Sequence, residues 1–169
     1  MVILGIDPGS ITAGYAFIKM EGRSLKVLEY GVIKCKPKDE LPKRIKHLCE
    51  SLRSLIQVHQ PKVFSMEGVF FAKNARSALV LGQARGALMA TCMESDMHYK
   101  EYSPKEVKQY AVGRGSASKE QVAWMIMQHF QLKQMPEPLD ASDALAIAWA
   151  CHNDPEIKVL QNSLEIQAL

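Results

Sequence analysis

The chain has 169 residues, 47% of them hydrophobic, with 21 Lys and Arg against 18 Asp and Glu and a formal net charge of +3. That length suits one domain able to bury about two-thirds of its unfolded surface, and so small a charge does not by itself argue for nucleic acid. No apolar run approaches the ~20 residues that span a bilayer, and no charged segment leads into an apolar one at the N-terminus, so the sequence reads as soluble, unexported and cytoplasmic, with no membrane partner.

Met1–Tyr15 reads MVILGIDPGSITAGY. An apolar run into Gly5-Ile6-Asp7, a Pro8-Gly9-Ser10 turn and a second apolar run from Gly14 to Ile18 predict a buried strand, a tight turn and a strand returning beside it. A carboxylate in a buried strand costs several kcal/mol unless something pairs with it. Asp7 is therefore either a turn residue bonding its own backbone or a ligand facing a metal or phosphate.

Leu25–Cys35 predicts a third strand, and Leu41–Gln60 a helix with the stripe Ile45, Leu48, Cys49, Leu52, Leu55 and Ile56, closed by Pro61. Lys62–Glu67 predicts a short strand ending in a second carboxylate, Glu67. Val69–Asn74 is a loop with adjacent aromatics beside Lys73. Ala75–Ser95 predicts a long helix rich in small residues. Its Gly82 and Gly86 each cost about 1 kcal/mol relative to Ala, which suggests a face packed closely against another helix, in this chain or in a second subunit.

His98–Tyr102 predicts an edge strand. Ser103-Pro104 starts one helix and Ser118 caps another over Lys119–Gln131, with Gly113-Arg114-Gly115 between them. Pro136 and Pro138 mark a loop before a final helix over Ala141–His152, and residues after Asn153 read as a loosely held tail. Cys35, Cys49, Cys92 and Cys151 form no C-x-x-C pair and read as free, mostly buried thiols of a reducing compartment. Strands first, then strand and helix in alternation, predict an α/β fold with a mixed sheet.

Asp140 and Asp143 lie on one face of the final helix. They could form a helix cap, with Asp at N-cap and an acid at N3. Taken with Asp7 and Glu67, at the ends of predicted central strands, they could instead form one crowded acidic site. Such crowding raises pKa values and costs stability unless divalent cations neutralise it. Oxygen donors without nearby His or Cys indicate Mg²⁺ or Mn²⁺ rather than zinc.

Five blocks occur together: Gly5-Ile6-Asp7-Pro8-Gly9, Met66-Glu67-Gly68-Val69-Phe70, Ala72-Lys73-Asn74, Leu81-Gly82-Gln83-Ala84-Arg85-Gly86, and Asp140-Ala141-Ser142-Asp143-Ala144-Leu145-Ala146. In order and spacing the chain resembles the RuvC family of bacterial Holliday junction resolvases over roughly residues 1–152. The resemblance implies a ribonuclease H-like fold, a five-stranded mixed sheet flanked by helices, with residues 1–152 as the nuclease domain and 153–169 as the tail. It implies a homodimer that binds a four-way DNA junction and nicks two strands of like polarity, leaving 5′-phosphate and 3′-hydroxyl ends, and that works with the branch-migration proteins RuvA and RuvB.

By position, Asp7, Glu67, Asp140 and Asp143 are then the catalytic acids holding two Mg²⁺ ions, with Mn²⁺ able to substitute and Asp143 the carboxylate that activates water together with one ion. Phe70 matches an aromatic that contacts bases at the crossover. Lys108 and Lys119 match positions that hold the scissile phosphate, and Lys73, Arg76, Lys105 and Arg114 are further DNA-contact candidates. Arg85 also lies near the Phe70 loop. Gly68 stands where some relatives carry a polar residue. One rival is a same-fold nuclease for other structured nucleic acid. Another is an actin-like ATPase or sugar kinase, which Asp7-x-Gly9 through Gly14-Tyr15 also resembles, though no second phosphate loop follows.

Overall fold

The computed structural model describes residues 1–21, 24–68 and 74–167. Its elements in chain order are β1 (Val2–Asp7), β2 (Thr12–Glu21), β3 (Ser24–Lys34), α1 (Leu41–His59), β4 (Val63–Glu67), α2 (Ala75–Met93), β5 (His98–Tyr102), α3 (Pro104–Val112), α4 (Lys119–His129), α5 (Leu139–Asn153) and α6 (Pro155–Gln167). The strands form one mixed sheet in the order β3-β2-β1-β4-β5. β1–β2 and β2–β3 are antiparallel, and β1–β4 and β4–β5 are parallel.

Alternation along the strands divides the core between the two faces of the sheet. Leu4, Ile6, Phe17, Phe64 and Met66 pack beneath α1 and α2 with Leu48, Leu52, Ile56, Ala84 and Leu88. Ile3, Ala16, Ile18 and Val63 pack on the other face with α5 and with Val107, Val122 and Ile126 of α3 and α4. The helix starts expected from local signals are present. Ser103 and Ser118 each close a capping box, with Glu106 and Gln121 as the returning side chains;.

α5 is buried nearly all round, through Ala141, Ala144–Ala148, Ala150 and Cys151. Two glycines let its backbone lie directly on the sheet. A Cβ at Gly5 would fall 2.3 Å from the Ala144 carbonyl oxygen, and one at Gly14 2.0 Å from that of Asp140. We expect Gly14→Ala to push the first turn of α5 off β2. Overpacking of this kind costs about 1–3 kcal/mol, and the variant should lose catalytic activity beyond what its lowered melting temperature explains, in parallel calorimetry and activity assays.

The C-terminal tail differs from the sequence expectation. Residues after Asp154 form α6, and Ile157 is buried in the core. Asp154 accepts from the Glu156 backbone N–H (2.9 Å) and from the Tyr102 hydroxyl (2.8 Å), while Lys100 pairs with Asp154 at 3.3 Å and Glu156 at 2.5 Å. These bonds tie the start of α6 to the edge strand β5. The four cysteines are free thiols, with Cys35, Cys92 and Cys151 buried, and no helix among the described residues is long and apolar enough to cross a membrane.

Candidate active site

Asp7 ends β1 and pairs in register with Gly14 of β2. Glu67 ends the parallel neighbour β4, one residue beyond the Ile6–Met66 pair. Parallel pairing therefore brings both carboxylates to one end of the sheet, and alternation turns both toward α5. There the seating of α5 on Gly14 brings in Asp140 and Asp143.

Of the two readings of Asp140, the helix cap does not form. α5 begins at Leu139 with Pro138 as N-cap and no side-chain capping bond, which places Asp140 in the first turn. The early start shifts the frame by two residues, so the pair is left facing Asp7 rather than the helix backbone.

The four acids are all half-buried and act on one another. Burial, then the charges of Asp143, Glu67 and Asp140, push the Asp7 carboxyl up to about 7, against the opposing pull of Lys119;. Burial and Asp143 also raise Glu67, with Lys119 and Lys108 acting the other way. Lys119 donates to Asp143 at 2.7 Å, a bond that raises the lysine's own pKa. Glu67, Lys108, Lys119 and Asp143 line a cleft of about 50 Å³ walled by Pro104, Val107, Val122, Ala146 and Ile147.

Among the described residues no three His, Cys, Asp or Glu side chains are already drawn together around a metal position. The donor set nonetheless fits a hard divalent cation: all ligands are carboxylate oxygens, and their coupling is the repulsion such a cation relieves;. If all four ionise, their charge exceeds that of Lys108 and Lys119 by two, and a phosphodiester meets net repulsion until cations enter.

The remaining candidates are dispersed. Lys105 is exposed at the start of α3, its stem against Gly115. Arg114 lies outside the cleft, in a groove with Val112, Trp124 and Met125, and Arg76 is exposed in the first turn of α2. Phe70 and Lys73 fall outside the described residues. Arg85 is no free cation for DNA. It is held by Glu101 and by the Tyr99 hydroxyl, 2.8 Å away, on the sheet face opposite the acids. Glu101 in turn reaches Gly68: a Cβ there would meet its Oε1 at 3.0 Å. Gly68 also donates to the Tyr102 carbonyl at 2.9 Å, keeping the chain paired with β5 just past Glu67.

Comparison with known proteins agrees with this architecture. Residues 3–152 match the family model of crossover junction endodeoxyribonuclease RuvC. The chain is 44% identical to the protein of that name from Pelodictyon phaeoclathratiforme, over 88% of this chain and 78% of the relative. It is 38% identical to that from Caldicellulosiruptor saccharolyticus, over 98% and 100%. Among solved structures, T. thermophilus RuvC in complex with Holliday junction substrate superposes with a TM-score of 0.85 at 31% identity, covering 90% of this chain and 93% of that one. The fold is ribonuclease H-like, and with its carboxylates gathered at the strand ends beneath α5 the chain belongs to the RuvC family of crossover junction endodeoxyribonucleases.

Proposed function

We propose that this protein resolves four-way DNA junctions as a homodimer, nicking two strands of like polarity symmetrically and leaving 5′-phosphate and 3′-hydroxyl ends. The observation that carries the reading is the coupling of Asp7 to Glu67, Asp140 and Asp143, beside a cleft that Glu67 and Asp143 line with Lys108 and Lys119. Residues 1–152 form the nuclease domain. The four acids would hold two Mg²⁺ ions, with Mn²⁺ able to substitute. The chemistry such ions supply when bound is activation of the attacking water and neutralisation of charge on the departing 3′ oxygen.

The chain's own groups do the rest. Lys108 and Lys119 draw the scissile phosphate toward a pocket that would otherwise repel it. Lys119 leaves Asp143 for the incoming phosphate, and Asp143 is then open to the attacking water. The strand's position along the duplex is set outside the cleft. Phe70 does this by stacking on a base at the crossover, worth roughly 1–3 kcal/mol, with Lys73, Arg76, Lys105 and Arg114 on neighbouring phosphates.

A second copy covers α2. Gly82 and Gly86 have nothing within 4 Å of their would-be Cβ positions, and they share an exposed face with Leu79 (69% exposed) and Met93 (49%). That face suits a close helix–helix contact, and two such nucleases related by a twofold axis match the symmetry of the nicks. In the cytoplasm, RuvA and RuvB would deliver the junction.

The test is cleavage of an end-labelled four-way junction with Mg²⁺ beside a linear duplex and a fork of the same sequence. Paired nicks sealed by ligase, confined to the junction, are expected, and ATP should give no thermal shift. Equal cutting of fork and junction would overturn the substrate assignment.

A further inference from the structure

Lys108 and Lys119 flank the acidic cleft on the side of β4 and β5. A second group of cations stands on the opposite flank. Lys34 ends β3, and Lys36 and Lys38 follow it in the turn toward α1. All three are exposed, and no ion pair among the described residues engages them. Acids do lie nearby, in Asp39 and Glu40, so the turn is basic without being uniformly so.

The register places these lysines relative to the acids. Asp7 pairs with Gly14, Gly14 with Val32 and Thr12 with Lys34. Lys34 is thus at the same end of the sheet as Asp7 and on the same face, two strands over. At about 4.8 Å per strand, the lateral separation is about 10 Å. A duplex rises about 3.4 Å per phosphate along each strand, so a backbone seated on Asp7 reaches Lys34 in about three steps.

Between them stands the first turn of α5, seated on Gly14, so a strand passes over its N-terminal end. Lys34 shares a groove of about 560 Å³ with Met135, Pro136, Glu137, Pro138 and Leu139, and Leu139 directly precedes Asp140. Met135 and Leu139 are 38% and 50% exposed, apolar surface of the kind that lies against deoxyribose. Glu137 is the one acid lining the groove.

We propose that Lys34, with Lys36 and Lys38, binds the phosphate backbone of the junction arm that leaves the acidic cleft across β2 and β3. The proposal rests on the junction-resolving reading above and adds a subsite to it. Cations on one flank alone offset only part of the repulsion between the strand and the carboxylates. Cations on both flanks draw it in a line across them. Lysine suits the task because an ammonium on a flexible stem meets phosphates without regard to sequence.

The experiment is equilibrium binding of a fluorescent four-way junction in metal-free buffer over a salt series, for wild type and for Lys34→Ala/Lys36→Ala/Lys38→Ala. Each phosphate contact contributes about 0.9 to the slope of log K against log salt. The triple variant should lose about 2 to 3 from that slope and at least tenfold in affinity near 0.1 M salt. Its single-turnover cleavage rate at saturating protein should stay within about threefold of wild type. Lys62→Ala, at the other end of β4, should change neither quantity. Unchanged affinity and slope in the triple variant would overturn the proposal, as would a lost rate at saturation with binding intact, which would put these lysines at the chemical step. Failure of the wild type itself to bind the junction would instead overturn the reading on which the subsite rests.

Discussion

Asp7→Asn is expected to bind a four-way junction at least as tightly as the wild type and to cut it more than about 10³-fold more slowly, a loss of about 4 kcal/mol in transition-state stabilisation. The reason is positional. Asp7 is the acid acted on by all three others, and burial is the largest cause of its raised pKa. The amide keeps the shape and removes an anionic donor, so metal occupancy should fall while repulsion of DNA weakens. Single-turnover cleavage beside equilibrium binding separates the two effects. A variant that cuts within tenfold of the wild type would remove Asp7 from the catalytic set.

The same carboxylate should make the metal-free protein less stable as pH rises. Its pKa is about 7 in the folded chain against an ordinary 3.8. Between those values the folded state holds a proton that the unfolded state has released. The stabilising contribution is therefore complete below about pH 4 and gone above about pH 7. The span corresponds to roughly 4 kcal/mol at most, or on the order of 10 °C in melting temperature for a chain of this size. Glu67 shifts in the same direction. Glu101 and Asp154, held low by their partners, oppose it.

Comparison with Asp7→Asn cancels those background groups. In chelator, the variant should melt with the wild type near pH 4 and above it near pH 8. Added Mg²⁺ at pH 8 should raise the melting temperature of the wild type far more than that of the variant. A difference between the two proteins that does not change with pH would show that the Asp7 carboxyl is not held up by its neighbours.

Much of this was legible in the sequence because the signals are local. The Pro8-Gly9 turn, the stripe of α1, the Ser103 and Ser118 caps and the edge position of β5 follow from a few adjacent residues each. Asp7 and Glu67 were legible as neighbours because parallel strands end together, and Asp140 and Asp143 as a pair because they stand three apart on one helix face;. What escaped depends on contacts between distant segments. Gly5 and Gly14 look like ordinary strand glycines until α5 is laid on them. Arg85 reads as a free cation until Glu101, on another element, takes it.

Two misreadings had usable signals. Pro138 before Leu139 placed the start of α5 ahead of Asp140, and Asp154-Pro155 repeats the Ser103-Pro104 pattern that opens α3, so α6 could have been expected. The docking of α6 could not, since it rests on Tyr102 and Lys100 of β5.

The seating of α5 also bears on synthesis. Half of the acids, Asp140 and Asp143, belong to α5, the helix seated directly on the sheet, while Asp7 and Glu67 leave the ribosome far earlier. A nascent chain with its first strands already paired carries only two of the four carboxylates, and the missing two come with α5. Long-range contacts of this sort are slow to form. On the proposed assignment, nuclease competence arrives with the docking of α5, and a half-folded chain carries no assembled acidic site.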